Sequence, residues 1–234
     1  MMKSLSPHRP SNLSRYAQIC LQALVDAGLS RRLSLGGAVG LFHYLDYRTT
    51  HDVDAWWYET TTEQQKRDVV KVLTAALSEF GRVGVRSWGD VTSVELFQDD
   101  KTVFSFQIAT RTVRLQDTIS AGWIDIPLDS LPDLAAAKMV ALVERGAPRD
   151  FLDIYSLCDA GLLNVEECWS FWQQRQAMSG SDADLSRARL AIETHLQRIA
   201  LHRPLEKIAD AEQREQARRV REWFYNIFLQ GKNE

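Results

Sequence analysis

Cysteine is scarce: Cys20, Cys158 and Cys168 are spread over 234 residues with no CxxC pair. That spacing builds neither a disulfide framework nor a zinc cage. Long apolar runs are missing too. The most apolar stretch, Leu134 to Val143, is interrupted by Lys138 and is too short to span a bilayer. The opening MMKSLSPHRPSN lacks the apolar core of a signal peptide. These absences predict a cytoplasmic protein with no membrane partner. Charge of one sign is also lacking, since 28 Lys and Arg against 31 Asp and Glu leave a formal −3. No global basic field draws the chain to nucleic acid, so any such contact needs a local patch. No repeat or low-complexity tract is visible. What remains is ordinary globular composition, 45% hydrophobic and 25% charged, enough for one large domain or a domain and a smaller one.

The first dozen residues read as a loose leader. Apolar residues from Ser14 to Ala27 fall at helical spacing, with Gly28 as the stop. A short strand is predicted over Arg31–Leu35, then Gly36-Gly37, then a helix through AVGLFHYL. Asp52–Tyr58 reads as a second strand. Thr60-x-x-Glu63 reads as a capping box for a helix whose stripe is Val69, Val72, Leu73, Ala76, Leu77 and Phe80, closed by Gly81. The period then changes to two. Val83–Trp88, Val91–Phe97, Val103–Ala109 and Thr112–Leu115 read as strands, with Gln98-Asp99-Asp100-Lys101 as a turn. Trp123–Ile126 is one more strand. Beyond it the chain reads as helical. Ser130-x-x-Asp133 caps a helix to Glu144, Gly146-Ala147-Pro148 breaks it, and later helices fit about 148–160, 164–178, 184–201 and 208–229. The predicted class is α+β, with an α/β domain over 1–128 and a helical domain over 129–234.

Four places could carry chemistry. Leu35-Gly36-Gly37-Ala38 joins a strand to a helix, where bare backbone and a helix N-terminus can receive an anion, although such a pair also serves as a plain tight turn. On the strand after Arg48-Thr49-Thr50-His51, Asp52 and Asp54 share a face about 7 Å apart at the backbone. Two such carboxylates suit magnesium, which takes one or two carboxylates plus substrate phosphates. The plainer alternative, a solvated strand face, is weakened by Trp56 on the same side. His51 has the opposite parity and reads as structural or exposed. Lys138 lies in a mostly apolar helix face, either snorkelling or held for a purpose. Asp150 and Asp153 in Arg149-Asp150-Phe151-Leu152-Asp153 are helical neighbours, and Asp150 also suits a helix N-terminus. Trp169 and Trp172 read as core packing rather than a base-stacking platform. The segment from Leu201 is near neutral, so no RNA groove shows in the sequence.

In this order, Gly36, Gly37, Arg48, Thr50, Asp52, Asp54, Lys138, Arg145, Arg149, Asp150, Asp153 and Leu157 resemble the AbiEii-type nucleotidyltransferases. That family includes toxins of type IV abortive-infection toxin–antitoxin systems and lies in the DNA polymerase β-like superfamily. The resemblance covers roughly residues 30–160, and its specific parts are R-x-T-x-D-V-D and ERGAPRDFLDIYSL. It implies a polymerase β-like core with a mixed, mostly antiparallel sheet, followed by a helical domain that contributes Lys138 and Asp150 to the cleft. It further implies Mg2+ on Asp52 and Asp54, and nucleotide binding by Gly36, Gly37, Arg48, Thr50 and Lys138. Asp150 would orient Lys138 or assist an acceptor hydroxyl. The implied reaction moves a nucleoside monophosphate from an NTP to a hydroxyl of tRNA or another RNA, with a cognate antitoxin as partner.

Two departures stand out. Ala38 replaces a small hydroxyl residue, and the superfamily's third carboxylate falls on Gln107, a neutral ligand. Glu95 on the paired strand could substitute, depending on register. A binding protein with a weakened metal site and a small-molecule nucleotidyltransferase are therefore the alternative readings.

Overall fold

The computed structural model describes residues 6–111 and 113–230. Contacts divide the chain between Leu134 and Ala135, six residues beyond the predicted boundary.

In the first unit, Ser14 caps α1 (Arg15–Asp26) through Ala17 N–H. The predicted strand at Arg31–Leu35 is shorter. Ser30–Arg32 forms a 3-10 turn, and only Leu33–Leu35 is strand β1. The helix after it, α2, runs only from Gly37 to Phe42. Strand β2 is Asp52–Trp57. Helix α3 (Glu63–Ser78) starts two residues later than the Thr60-x-x-Glu63 reading. Its capping box is Thr62 with Gln65, because Thr61 Oγ1 donates to the Arg32 carbonyl at 2.8 Å instead. Strands β3 (Arg82–Trp88), β4 (Val91–Gln98) and β5 (Lys101–Thr110) follow as an antiparallel meander. Asp99 and Asp100 turn the β4–β5 hairpin with φ of 48° and 59°, the primed-turn geometry that matches strand twist.

Two predicted strands are not formed. Thr112 lies outside the described residues, and Val113–Leu115 is irregular, with Leu115 N–H bonded to the Asp133 side chain rather than a strand. The stretch Trp123–Asp125 is bends, and Ile126 is irregular. Two-residue bridges on either side, β6 (Ile119–Ser120) and β7 (Pro127–Leu128), pair instead. The sheet order is β3-β4-β5-β2-β1-β7-β6, with β2–β5 and β1–β7 parallel and the other pairs antiparallel.

Alternation sorts the two faces of this sheet. Val53 and Ala55, Val94 and Leu96, and Phe104, Phe106 and Ile108 are buried on one face. Helix α3 packs on β3 and β4, presenting Val69, Leu73 and Leu77, and α1 packs on α3. The Tyr16 ring bridges Phe80 and Phe104 at centroid distances of 5.7 and 5.8 Å. The opposite face carries Asp52, Asp54 and Trp56.

Helix α4 (Leu131–Glu144) begins in the first unit, where Ser130 Oγ accepts from Asp133 N–H as predicted, and continues into the second. There follow α5 (Pro148–Asp159), α6 (Val165–Ser179), α7 (Leu185–His202) and α8 (Ala211–Trp223), which ends in a π turn over Phe224–Phe228. The predicted helix at 208–229 is thus shorter and wider at its end. Its π turn brings Phe224 to 4.8 Å from Phe151 and Phe228 to 5.1 Å from Trp169. Trp169 and Trp172 are buried in this aromatic cluster, as core residues. No helix of the described residues is long and apolar enough to cross a membrane.

Candidate active site

The β2 carboxylates are positioned by the parallel β2–β5 pairing. Asp52 lies beside Ser105 and Asp54 beside Gln107, and paired residues share a face. Ser105 Oγ donates to Asp52 Oδ1 at 2.7 Å, and Gln107 Nε2 donates to Ser105 Oγ at 3.2 Å. Next along the sheet, Glu95 of β4 is paired with Ser105 and Ser93 with Gln107. Both Gln107 and Glu95 therefore face the aspartates, and Gln107 is the nearer by one strand. The buried Glu95 carboxylate accepts from Ser93 Oγ at 3.3 Å and lies 3.8 Å from the Arg86 guanidinium.

On the other side of β2 the glycine pair does steric work. Gly37 has φ +56°, and a Cβ there would collide with the Asp54 carboxylate. A Cβ on Gly36 would strike the Trp56 indole nitrogen and sit 3.1 Å from Asp129 Oδ2. The Gly36 N–H is bonded to the Asp54 carbonyl at 2.9 Å, so Gly36 contributes space rather than a phosphate donor. Thr50 Oγ1 accepts from Asp52 N–H at 3.2 Å, which shapes the entry to β2. The Arg48 guanidinium lies over Phe42 and Tyr47 and donates to the Thr49 carbonyl at 3.1 Å.

Beneath the glycine turn lies a buried charge cluster that sequence reasoning missed. Ser34 Oγ donates to Asp129 Oδ1 at 2.8 Å, and the Arg111 guanidinium bonds Asp129, lies 3.7 Å from Asp133 and covers the Trp56 ring at 4.8 Å. Burial pushes the Asp129 carboxyl above the usual range, while Arg111 and Ser34 pull it back. No local signal marks this cluster, because Arg111 and Asp129 are 18 residues apart. Ser105 also went unread, although its parity with Gln107 places it on the same strand face.

In the second unit the charges pair differently from the sequence reading. Lys138 Nζ is 2.7 Å from Asp153, with side-chain exposures of 9% and 0%. Asp150 accepts from Arg145 at 2.8 and 2.9 Å and from Ala147 N–H at 3.2 Å. Asp153, rather than Asp150, thus holds Lys138. The reason is that Asp150 occupies the third position of α5, from which it folds back onto the helix start. Removing one partner of a buried pair such as Lys138–Asp153 costs about 3–5 kcal/mol, because the other is stranded.

The residues fit a divalent cation through their donor chemistry. Two half-buried carboxylates share one strand face, one oriented by Ser105 and the other pressed under a glycine that no side chain could replace. Among the described residues no group of three His, Cys, Asp or Glu side chains is placed to hold a metal, and the residue paired with Asp54 is the neutral Gln107.

A glycine turn leading to paired carboxylates on a mixed sheet, followed by helices, defines an α+β protein. The family model described as nucleotidyl transferase AbiEii toxin, type IV toxin–antitoxin system, matches residues 19–224, and the chain belongs to that family. Among solved structures it is similar to an antigenic nucleotidyltransferase-like protein from Paracoccidioides brasiliensis, at 13% identity over 91% of this chain and 95% of that chain, with a TM-score of 0.41. No curated protein matches the chain significantly.

Proposed function

We propose that this AbiEii-family nucleotidyltransferase is magnesium-dependent and moves a nucleoside monophosphate from an NTP to a hydroxyl of an RNA acceptor such as tRNA. It would act in the cytoplasm as the toxin of a pair, restrained by a cognate antitoxin. The observation that carries this reading is the Asp52/Asp54 pair, with Asp54 lodged against Gly37. Magnesium held there would neutralise triphosphate charge, in a reaction that is mostly positioning and charge stabilisation. The acceptor oxygen forms a bond to the α-phosphorus as the bond to the β-phosphate oxygen breaks. Pyrophosphate leaves, and the hydroxyl proton passes to water. The Gly37 turn supplies backbone for the phosphates, Ser105 orients Asp52, and Arg48 and Thr50 shape the approach to β2. Within the second unit, Asp153 fixes the Lys138 ammonium. Asp150, bonded by Arg145 and Ala147, serves as the anchor of α5 in this reading.

The test is incubation with magnesium, each labelled NTP and total RNA. Labelled RNA is expected, and Asp52→Asn and Asp54→Asn should each abolish it while the folded circular dichroism spectrum persists. No label from any NTP sinks the proposal.

Gln107 favours a second reading, a slow or purely nucleotide-binding protein, because a neutral amide stands in register with Asp54. Gln107→Glu should then raise magnesium affinity or transfer rate. Unchanged affinity and rate would remove Gln107 from the site.

A further inference from the structure

Beyond the aspartates, the same sheet face continues to an open edge. Three rows cross it from β2 through β5 and β4 to β3, the outermost strand. The first is Asp52, Ser105, Glu95 and Gly84, and the second is Asp54, Gln107, Ser93 and Arg86. The third is Trp56, Ala109, Val91 and Trp88. Arg86 and Trp88 therefore stand on the face of the metal carboxylates, about 14 Å away at three strand spacings. Both are exposed. The Arg86 side chain is 70% accessible, and Trp88 is 47% accessible, unusual for a large ring. The Arg86 guanidinium lies 5.8 Å from the Trp88 ring and 3.8 Å from Glu95. The Phe97 ring fills the space over Gly84, and Arg82 stands beyond, 4.2 Å over that ring and 3.6 Å from Asp100.

Reaction geometry says what this edge is for. In an in-line displacement the nucleophile and the leaving group lie on opposite sides of the reacting phosphorus. The glycine turn that would receive the pyrophosphate lies on the β1 side of Asp54. The acceptor hydroxyl must then come from the β5 side, and the chain behind it runs toward β4 and β3. We propose that the single-stranded 3′ end of the RNA acceptor lies across this face, with a base stacked on Trp88 and a phosphate on Arg86. A cation beside an exposed aromatic ring is the pairing that single strands use, since every base has a face to stack and every phosphate a charge. This inference rests on the transferase reading for its direction, and it can be measured without turnover.

The experiment is fluorescence anisotropy of a labelled RNA hairpin with a single-stranded 3′ overhang, without NTP, across a salt series. A blunt hairpin is the control. The unmodified protein should prefer the overhang. Trp88→Ala should weaken binding about fivefold or more, the loss of one stacked base, and Trp88→Phe should restore most of it. Arg86→Gln should lower the salt slope by about one. Binding of the overhang unchanged in Trp88→Ala and Arg86→Gln overturns the proposal, as does equal affinity for both hairpins. Absence of RNA binding, with self-association that Trp88→Ala abolishes, assigns the edge to a second copy and also overturns it. The transferase reading fails separately, if the unmodified protein shows no magnesium-dependent NTP binding, a property that the β3 variants should leave unchanged.

Discussion

Gly28 and Gly37 have nearly the same backbone conformation, φ +66° and +56°, in different surroundings. Nothing lies within 4 Å of a Cβ built on Gly28, whereas on Gly37 it meets the Asp54 carboxylate. Gly28→Ala should therefore cost about 1 kcal/mol, the strain of a left-handed residue. Gly37→Ala should add the displacement of Asp54 and lose magnesium-dependent nucleotide binding. Thermal unfolding and titration calorimetry read the two effects. If both variants unfold alike and bind nucleotide alike, the turn is not pressed on the carboxylate. The same contrast explains why the glycine pair was an ambiguous sequence signal, since a plain tight turn and a close approach select the same residue.

At the scale of elements, three consecutive threonines offer three starts to α3. Thr62 alone has its hydroxyl on an N-terminal N–H, that of Gln65, at 3.3 Å. Thr62→Ala should destabilise the fold by about 1 kcal/mol, and Thr60→Ala should leave it unchanged, as measured by urea unfolding. Equal losses would mean that the helix starts earlier. The sequence reading took Thr60-x-x-Glu63 as the box, and the structure forms it from Thr62 and Gln65, while Thr61 bonds the Arg32 carbonyl. Elements with an uninterrupted period were legible to within a few residues, as β4, β5 and α4 through α7 were. The short bridges β6 and β7 were not, because two residues carry no period and their pairing depends on β1.

At the scale of the molecule, stability should respond to acid through a buried histidine. His43 is fully buried. Val39 O lies 2.9 Å from its Nδ1, and Trp123 Nε1–H donates to its Nε2 at 3.1 Å. A carbonyl only accepts and an indole only donates, so the ring is neutral with its proton on Nδ1. Burial pushes its pKa below the ordinary value. Above about pH 6.5 the ring is neutral folded or unfolded and contributes no slope. As pH falls below that, the unfolded chain takes a proton that the folded one refuses, so stability falls until the folded pKa is reached. Melting temperature should drop across this window, and His43→Gln should flatten the drop. Equal slopes in the two proteins would place the acid response elsewhere.

The α+β order and the Asp52-x-Asp54 pair were determined by the sequence alone, because period and parity are local properties of the chain, whereas the choice of Gln107 over Glu95 as the neighbour of Asp54 waited for the strand register. Tertiary structure decided the partners. Lys138 goes to Asp153 because Asp150 is drawn back to the start of its own helix. Arg111 meets Asp129 beneath Gly36, and Trp88 reaches the face of the aspartates through three strand pairings. Charge pairing and register join residues far apart in sequence, and only the packed sheet and helices bring them within reach.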